Sequence, residues 1–369
     1  MQVPFTKPYF TKDMSVKILF NIKKIINEKN LMIGEFSNSL EKKFSNFIGV
    51  KYAVSVNSAT TALQMALRYA NVRGKEVIVP SASFITNVSS VIFENAKPIL
   101  VDCDLNTLSY NINELKRKIN KNTAAIVLVH LTGYIADNYK EIVKLAKENK
   151  ILLIEDCSHA HGSKVDGKQA GSIGDLGVFS FYPTKVLTSG SGGIITTNNK
   201  KIYDLAKSLR VFGKNFSNNH VDKLGNDWFL DEFRSAIALE QLSVMEDILK
   251  KRIKAAKFYI HNLPKSDLFT LLNLQKNTQS CWYNFPIFFK KIAHKNKFEK
   301  EFSKNNISTK SIYRPVFEEK VFRKYFYEQK FIGSKKMLNS SLCLPIYTSI
   351  TKKELVYVIK TFKNILQTA

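Results

Sequence analysis

The residues best suited to chemistry sit in the run Phe179-Ser180-Phe181-Tyr182-Pro183-Thr184-Lys185, followed at once by Val186-Leu187-Thr188-Ser189-Gly190-Ser191-Gly192-Gly193. A lysine at the end of a short apolar strand packs poorly. It suits a tight turn no better than a smaller residue would. It does suit a covalent bond to a carbonyl. Upstream, Ile151-Leu152-Leu153-Ile154-Glu155-Asp156-Cys157-Ser158-His159-Ala160-His161-Gly162 is an apolar strand that ends on an acidic pair. Successive side chains of a strand point to opposite sides, so Asp156 is read as the functional member and Glu155 as structural. The separation of Asp156 from Lys185, 29 residues, is about one strand–crossover–strand unit.

A third stretch runs from a short strand, 52–56, into Asn57-Ser58-Ala59-Thr60-Thr61 and an amphipathic helix carrying Leu63, Met65, Ala66 and Leu67. Small hydroxyl residues at a helix start make a phosphate seat, because backbone N–H groups and the positive dipole end converge there. Ser58 is equally an ordinary N-cap, and the stretch alone leaves both readings open. An acid and a lysine at neighbouring strand ends, beside a phosphate-sized loop, meet the needs of pyridoxal phosphate (PLP).

The elements that must position these groups alternate. Strands are read at 76–80, 98–102, 123–130, 151–155, 178–181 and 193–196. Helices are read at 15–28, 35–47, 112–119, 138–149, 202–211 and, as one long element, 231–250. Several strands are unbroken apolar runs, as expected when both faces are buried. The pattern predicts an α/β fold with a mostly parallel sheet and a ligand site outside the strands' carboxyl ends. The period loosens after about residue 252, so residues 1–250 are read as a large domain and 251–369 as a smaller α+β domain. Residues 311–315 read as a loop and 351–365 as a closing helix capped by Thr351.

The chain has 369 residues, of which 44% are hydrophobic and 24% charged, enough for one large core and a second smaller one. No apolar run is long enough to span a bilayer, and the N-terminus lacks the pattern of a signal peptide, so a cytoplasmic protein without membrane contact is expected. The four cysteines, Cys103, Cys157, Cys281 and Cys343, are widely spaced, which argues against a zinc or iron–sulfur site and predicts no metal. The formal charge is +25. Its lysines spread along helices without forming a block or a nucleic-acid-binding signature, so no nucleic acid partner is expected.

Taken in order, the segments 49–63, 101–104, 155–162, 179–185, 224–233 and 344–347 resemble the DegT/DnrJ/StrS family of PLP-dependent sugar aminotransferases over nearly the whole chain. The resemblance implies a type I aminotransferase-like fold and a homodimer with active sites at the subunit interface. It also implies amino transfer, with L-glutamate as donor, to a nucleotide-linked keto-deoxy sugar for cell-surface polysaccharide, lipopolysaccharide or other glycan. It assigns Lys185 to the covalent bond with the cofactor aldehyde and to proton transfer. Asp156 goes to the pyridine nitrogen, His159 to the ring substituents, Phe84 to the ring face, and Ser180, Ala59 and Thr60 to the phosphate.

Three departures from the family pattern stand out. Ser191 replaces an acid in the glycine loop, and Asp227 stands where an asparagine reaches the neighbouring subunit's cofactor phosphate. Phe229 replaces an arginine, while Asn226 lies next to the altered contact. Other readings are a PLP-dependent sugar dehydratase, against which Lys185 and the absence of a cysteine set both speak, and a catalytically inactive PLP-binding scaffold. Tyr313 and Arg314 are candidates for the nucleotide diphosphate.

Overall fold

The computed structural model describes residues 1–104, 106–326 and 329–368. Seven strands form the central sheet: β1 (Tyr52–Val56), β2 (Glu76–Pro80), β3 (Lys97–Val101), β4 (Thr123–Val129), β5 (Leu152–Asp156), β6 (Leu176–Ser180) and β7 (Gly193–Thr197). Their spatial order is β1-β7-β6-β5-β4-β2-β3. Only β7 runs against its neighbours, pairing antiparallel with both β1 and β6. The carboxyl ends of the other six strands therefore share one edge. Runs such as Val77-Ile78-Val79 and Ile126-Val127-Leu128 are fully buried, because helices cover both faces of the sheet.

Helices α1 (Lys12–Glu28) and α2 (Glu35–Ile48) open the chain. The start of α2 is held by buried Glu232, which accepts the N–H groups of Gly34, Phe36 and Ser37 at 2.8–2.9 Å. Helix α3 (Ala59–Tyr69) follows β1, α4 (Ile85–Phe93) follows β2, α5 (Ile112–Lys118) precedes β4, α6 (Tyr139–Glu148) precedes β5, and α7 (Lys200–Leu209) follows β7. The helix expected at 231–250 is two helices, α8 (Glu232–Ser243) and α9 (Met245–Asn262). β-Branched Val244 breaks it with φ −111° and ψ 17°, and the Ser243 hydroxyl bonds the Glu240 carbonyl inside the last turn. The β5–β6 connection also differs from a usual crossover: it holds short strand pieces, Lys164–Val165 and Lys168–Gln169, and no helix.

Beyond α9 a three-stranded antiparallel sheet, β8 (Phe269–Leu271), β9 (Phe285–Phe289) and β10 (Ser341–Leu344), packs with α10 (Ile292–Lys304) and α12 (Lys352–Gln367). Helix α11 (Ile332–Ser340) leads directly into β10. The core here is aromatic: Phe298 lies 4.7 Å from Phe362 and 4.9 Å from Phe289. Thr351 caps α12, as expected, and does so in a reciprocal box with Glu354. Val3, near the N-terminus, pairs with Ile307 and joins this cluster. Residues 311–315 form a loop.

Candidate active site

Because β6 turns back into β7, with Ser180 opposite Gly193, the intervening loop of 181–192 stands over the shared carboxyl edge of the sheet. The loop is closed by its own bonds: Phe181 N–H to Gly192 O at 2.9 Å, Ser189 N–H to Phe181 O at 3.1 Å, and Thr188 Oγ1 to Phe181 O at 2.9 Å. Lys185 follows a turn in which its N–H bonds Tyr182 O at 2.9 Å. Gly193 is required where it stands, since a Cβ there would lie 2.7 Å from Ala59 N. The start of β7 and the start of α3 are thus in direct contact.

A cavity of about 350 Å³ opens at this edge, lined by Ala59, Thr60, Phe84, Asp156, His159, Ser180 and Lys185 among others. Seven of the eight residues expected at the site are therefore brought together. Asp227 is not among them. It is exposed and lines a separate surface groove with Leu31, Met32, Asn57 and Phe229. Ser191 lines the cavity, and its hydroxyl donates to Asn57 O at 3.2 Å.

Asp156 is buried at the end of β5, where Oδ1 accepts from Ser158 N–H at 3.0 Å and Oδ2 from Asn87 Nδ2 at 2.9 Å. Burial lowers the Lys185 pKa to about 8, and the charge of Asp156 pulls the other way. Burial, and then the Lys185 charge, hold His159 well below the ordinary histidine range, so its ring is neutral. His161 is buried edge-on against Phe179, with its pKa pushed down by burial to about 3. It is a neutral ring in the wall.

Glu155 faces away and is consumed structurally. Its oxygens accept from Gly171, Ile173 and Gly174 N–H at 2.7–2.9 Å and from His130 Nε2 at 2.8 Å. His130, Glu155 and Cys157 converge, but this carboxylate already has its donors, so the cluster is a hydrogen-bonded brace.

Among the cavity residues that the sequence does not assign to the site are Tyr283 and, in its position, Tyr313. The Tyr313 phenol bonds His159 Nε2 and its ring lies 5.6 Å from Phe84. Arg314 points outward, 3.9 Å from Glu319. The segment carrying Tyr283 approaches only because Gly133 has no side chain. Gly133 has φ +91°, and a Cβ would lie 2.7 Å from Cys281 Sγ and 2.9 Å from His159 O. Gly133→Ala is expected to destabilise the fold by about 2–3 kcal/mol, read in a denaturant titration.

The residues fit pyridoxal phosphate. The N–H groups of Ala59 and Thr60 belong to the first turn of α3, which has no intrahelical partners, and they face an anion seat shared with Ser180. Each Asp156 oxygen accepts one bond and retains capacity for a ring N–H. His159 Nδ1 is buried without a partner.

A mostly parallel sheet with a lysine, an aspartate and an anion seat at one edge is the arrangement of a PLP-dependent protein of the type I aminotransferase-like fold. The chain belongs to the DegT/DnrJ/EryC1/StrS aminotransferase family, whose sequence profile matches residues 12–363. It is 30% identical over 334 residues to a dTDP-3-amino-3,6-dideoxy-alpha-D-galactopyranose transaminase of Aneurinibacillus thermoaerophilus, covering 89% of this chain and 90% of that one. It is 28% identical over 336 residues to the GDP-perosamine synthase of Escherichia coli O157:H7, covering 90% of each. Its fold matches that of Spr1654 of Streptococcus pneumoniae, solved in a PMP form, with TM-score 0.92, 21% identity and full coverage of both chains. Spr1654 has also been solved in a PLP form. The chain is accordingly a PLP-dependent sugar aminotransferase.

Proposed function

We propose that this enzyme transfers an amino group from L-glutamate to a nucleotide-linked keto-deoxy sugar. It works as a cytoplasmic homodimer and supplies amino sugars for cell-surface polysaccharide, including lipopolysaccharide. The observation that carries the reading is the Lys185 amine, of lowered pKa, in one cavity with Asp156 and the first turn of α3. When bound, pyridoxal phosphate supplies an aldehyde for amine exchange and a ring that withdraws electrons from the adjoining carbon.

In this reading Lys185 Nζ would hold the group through its aldehyde and, when free, would take up and release a proton at Nζ. At pH 8 roughly half of this amine is neutral, against well under one per cent of an exposed lysine. Asp156 would accept from the ring N–H and keep that nitrogen protonated. Ala59 and Thr60 N–H and the Ser180 hydroxyl would bind the phosphate, and Phe84 would cover a ring face. Tyr313 donates to His159 Nε2, which leaves the His159 proton on Nδ1 for the ring oxygen.

Asp227 and Asn226, both exposed, reach the partner subunit's phosphate seat. A carboxylate opposes a phosphate there, and Asn226, whose Oδ1 accepts from Asp227 N–H at 2.8 Å, is the neutral alternative. Residues 1–250 form the large cofactor-binding domain and 251–369 the smaller one, which lends Tyr283 and Tyr313. The named relatives carry dTDP and GDP sugars, so the nucleotide is best found by assay.

The test is the visible spectrum of the PLP-loaded protein before and after L-glutamate, followed by dTDP-, GDP- and UDP-linked keto sugars with mass detection of the amino sugar. The expected result is a spectral change with glutamate, reversed by one of the sugars. A cofactor band that ignores every amino donor would favour the scaffold or dehydratase reading.

A further inference from the structure

The Tyr283 ring lies against the Lys185 amine. Lys185 Nζ lies 4.8 Å from the ring centroid, within cation–π range. The same ring stacks on His159 with centroids 3.9 Å apart and planes 22° apart. Its phenol pairs with Thr184 Oγ1 at 3.0 Å, one residue before the lysine.

The turn that presents this ring is held by Arg252, from α9. Arg252 is 4% exposed, and among the described residues no carboxylate pairs with it. Instead Nε donates to Cys281 O at 3.1 Å, and Nη2 to Trp282 O at 2.6 Å, Tyr283 O at 3.1 Å and Ile346 O at 3.4 Å. Trp282 sits at φ +51°, a left-handed conformation that strains a bulky residue and persists only where its surroundings over-determine it. The arginine clamp and the stack of Trp282 on Phe285, at 5.2 Å, do so.

We propose that Tyr283 is a positioning residue for amino transfer: its ring face holds the amine of Lys185 while that amine is displaced and charged, and Arg252 sets the ring in place. This rests on the reading of Lys185 as the amine that bonds to the cofactor. The amine must be released and retaken in every cycle. While free and protonated in a partly dry cavity it needs a partner, and a second carboxylate would lock it in the charged form. An aromatic face attracts the ammonium and leaves it able to lose its proton.

The other titratable groups around Lys185 are Asp156 at the end of β5, His159 and His161 on the loop after it, and His130, Tyr182 and Tyr313 on the cavity wall. His159 and His161 are held neutral by burial, so among the described residues lining the cavity Asp156 is the one acid that shares the amine with the ring.

The experiment measures acetylation of Lys185 against pH in the full-length, cofactor-free protein, read by peptide mass spectrometry. The chains compared are wild type, Tyr283→Phe, Tyr283→Leu and Arg252→Lys. Leucine fills most of the space without a π face, so its midpoint is expected to fall by about one pH unit. Phenylalanine keeps the face and leaves the midpoint in place. Arg252→Lys keeps the charge, loses the planar fork, and moves it part of the way. A leucine midpoint equal to or above wild type overturns the proposal.

If Tyr283→Leu does not fold, pentafluorophenylalanine incorporated at 283 reverses the ring quadrupole in nearly the same shape. It must then lower the midpoint, and an unchanged midpoint overturns the proposal. Borohydride reduction of the PLP-loaded wild type tests the underlying reading separately. A phosphopyridoxyl group on another lysine overturns that reading, whereas one on Lys185 beside an unshifted leucine profile overturns only the role of Tyr283.

Discussion

Lys185→Ala is expected to lower kcat for amino transfer by about 10⁴-fold while leaving the fold intact. The loop that carries it is closed by backbone and hydroxyl bonds at Phe181, Thr188, Ser189 and Gly192, none of which uses the lysine side chain. Stability should move the other way from activity. The folded pKa of about 8 lies below the ordinary lysine value of 10.5, because burial disfavours the ammonium. A lysine whose pKa is depressed on folding costs stability fully below the folded value. The cost fades as pH rises through 8 towards 10.5 and is absent above that. Alanine removes the cost, so at pH 7 the variant should unfold at no lower denaturant concentration than wild type, and the difference should close by pH 11. Denaturant titrations at both pH values and single-turnover assays with glutamate check this. A folded variant retaining more than about a hundredth of the wild-type rate would remove Lys185 from the chemistry.

The strands of the central sheet were legible because burial on both faces leaves no polar alternation to confuse them. Tyr52–Val56 and Glu76–Pro80 have the bounds the apolar runs predict. The lysine and the acid were legible for a related reason: each is a costly residue at the end of such a run. The break between α8 and α9 at Val244 depends on local competition for hydrogen bonds, and the hydrophobic period continues across it, so the sequence reads as one helix. Arg252 reads in sequence as one more helix cation among many. Its burial under four carbonyls exists only after residues 281–283 and 346 have folded against α9. Tyr283 and Tyr313 lie in segments without a period. They reach the cavity because the second sheet folds back on the first, a long-range event that local spacing does not encode.

Asp156→Asn should lower kcat by about 10²–10³-fold, the size expected when one charge that stabilises the reacting system is removed from a water-poor site. The substitution is gentle on the fold. Oδ1 can still accept from Ser158 N–H. The new amide, placed where Oδ2 met Asn87 Nδ2, finds an acceptor if Asn87 turns, because Asn87 Oδ1 is buried without a partner. Asp156→Ala has no such rescue. It leaves the Ser158 and Asn87 donors unpaired at a cost of about 1–3 kcal/mol. The asparagine variant therefore separates charge from structure.

A further readout distinguishes loss of the ring's partner from simple disorder. The Asp156 carboxylate raises the Lys185 pKa against the effect of burial, so removing its charge lets that pKa fall below about 8. The amine is then neutral over a wider range, and capture of the PLP aldehyde should survive in the variant while turnover fails. Borohydride mapping of the loaded variant should still mark Lys185, and the acidic limb of its labelling profile should lie below that of wild type. Near-normal turnover in Asp156→Asn would place the partner of the ring nitrogen elsewhere. An upward shift of the Lys185 profile would mean that the carboxylate does not act on the amine.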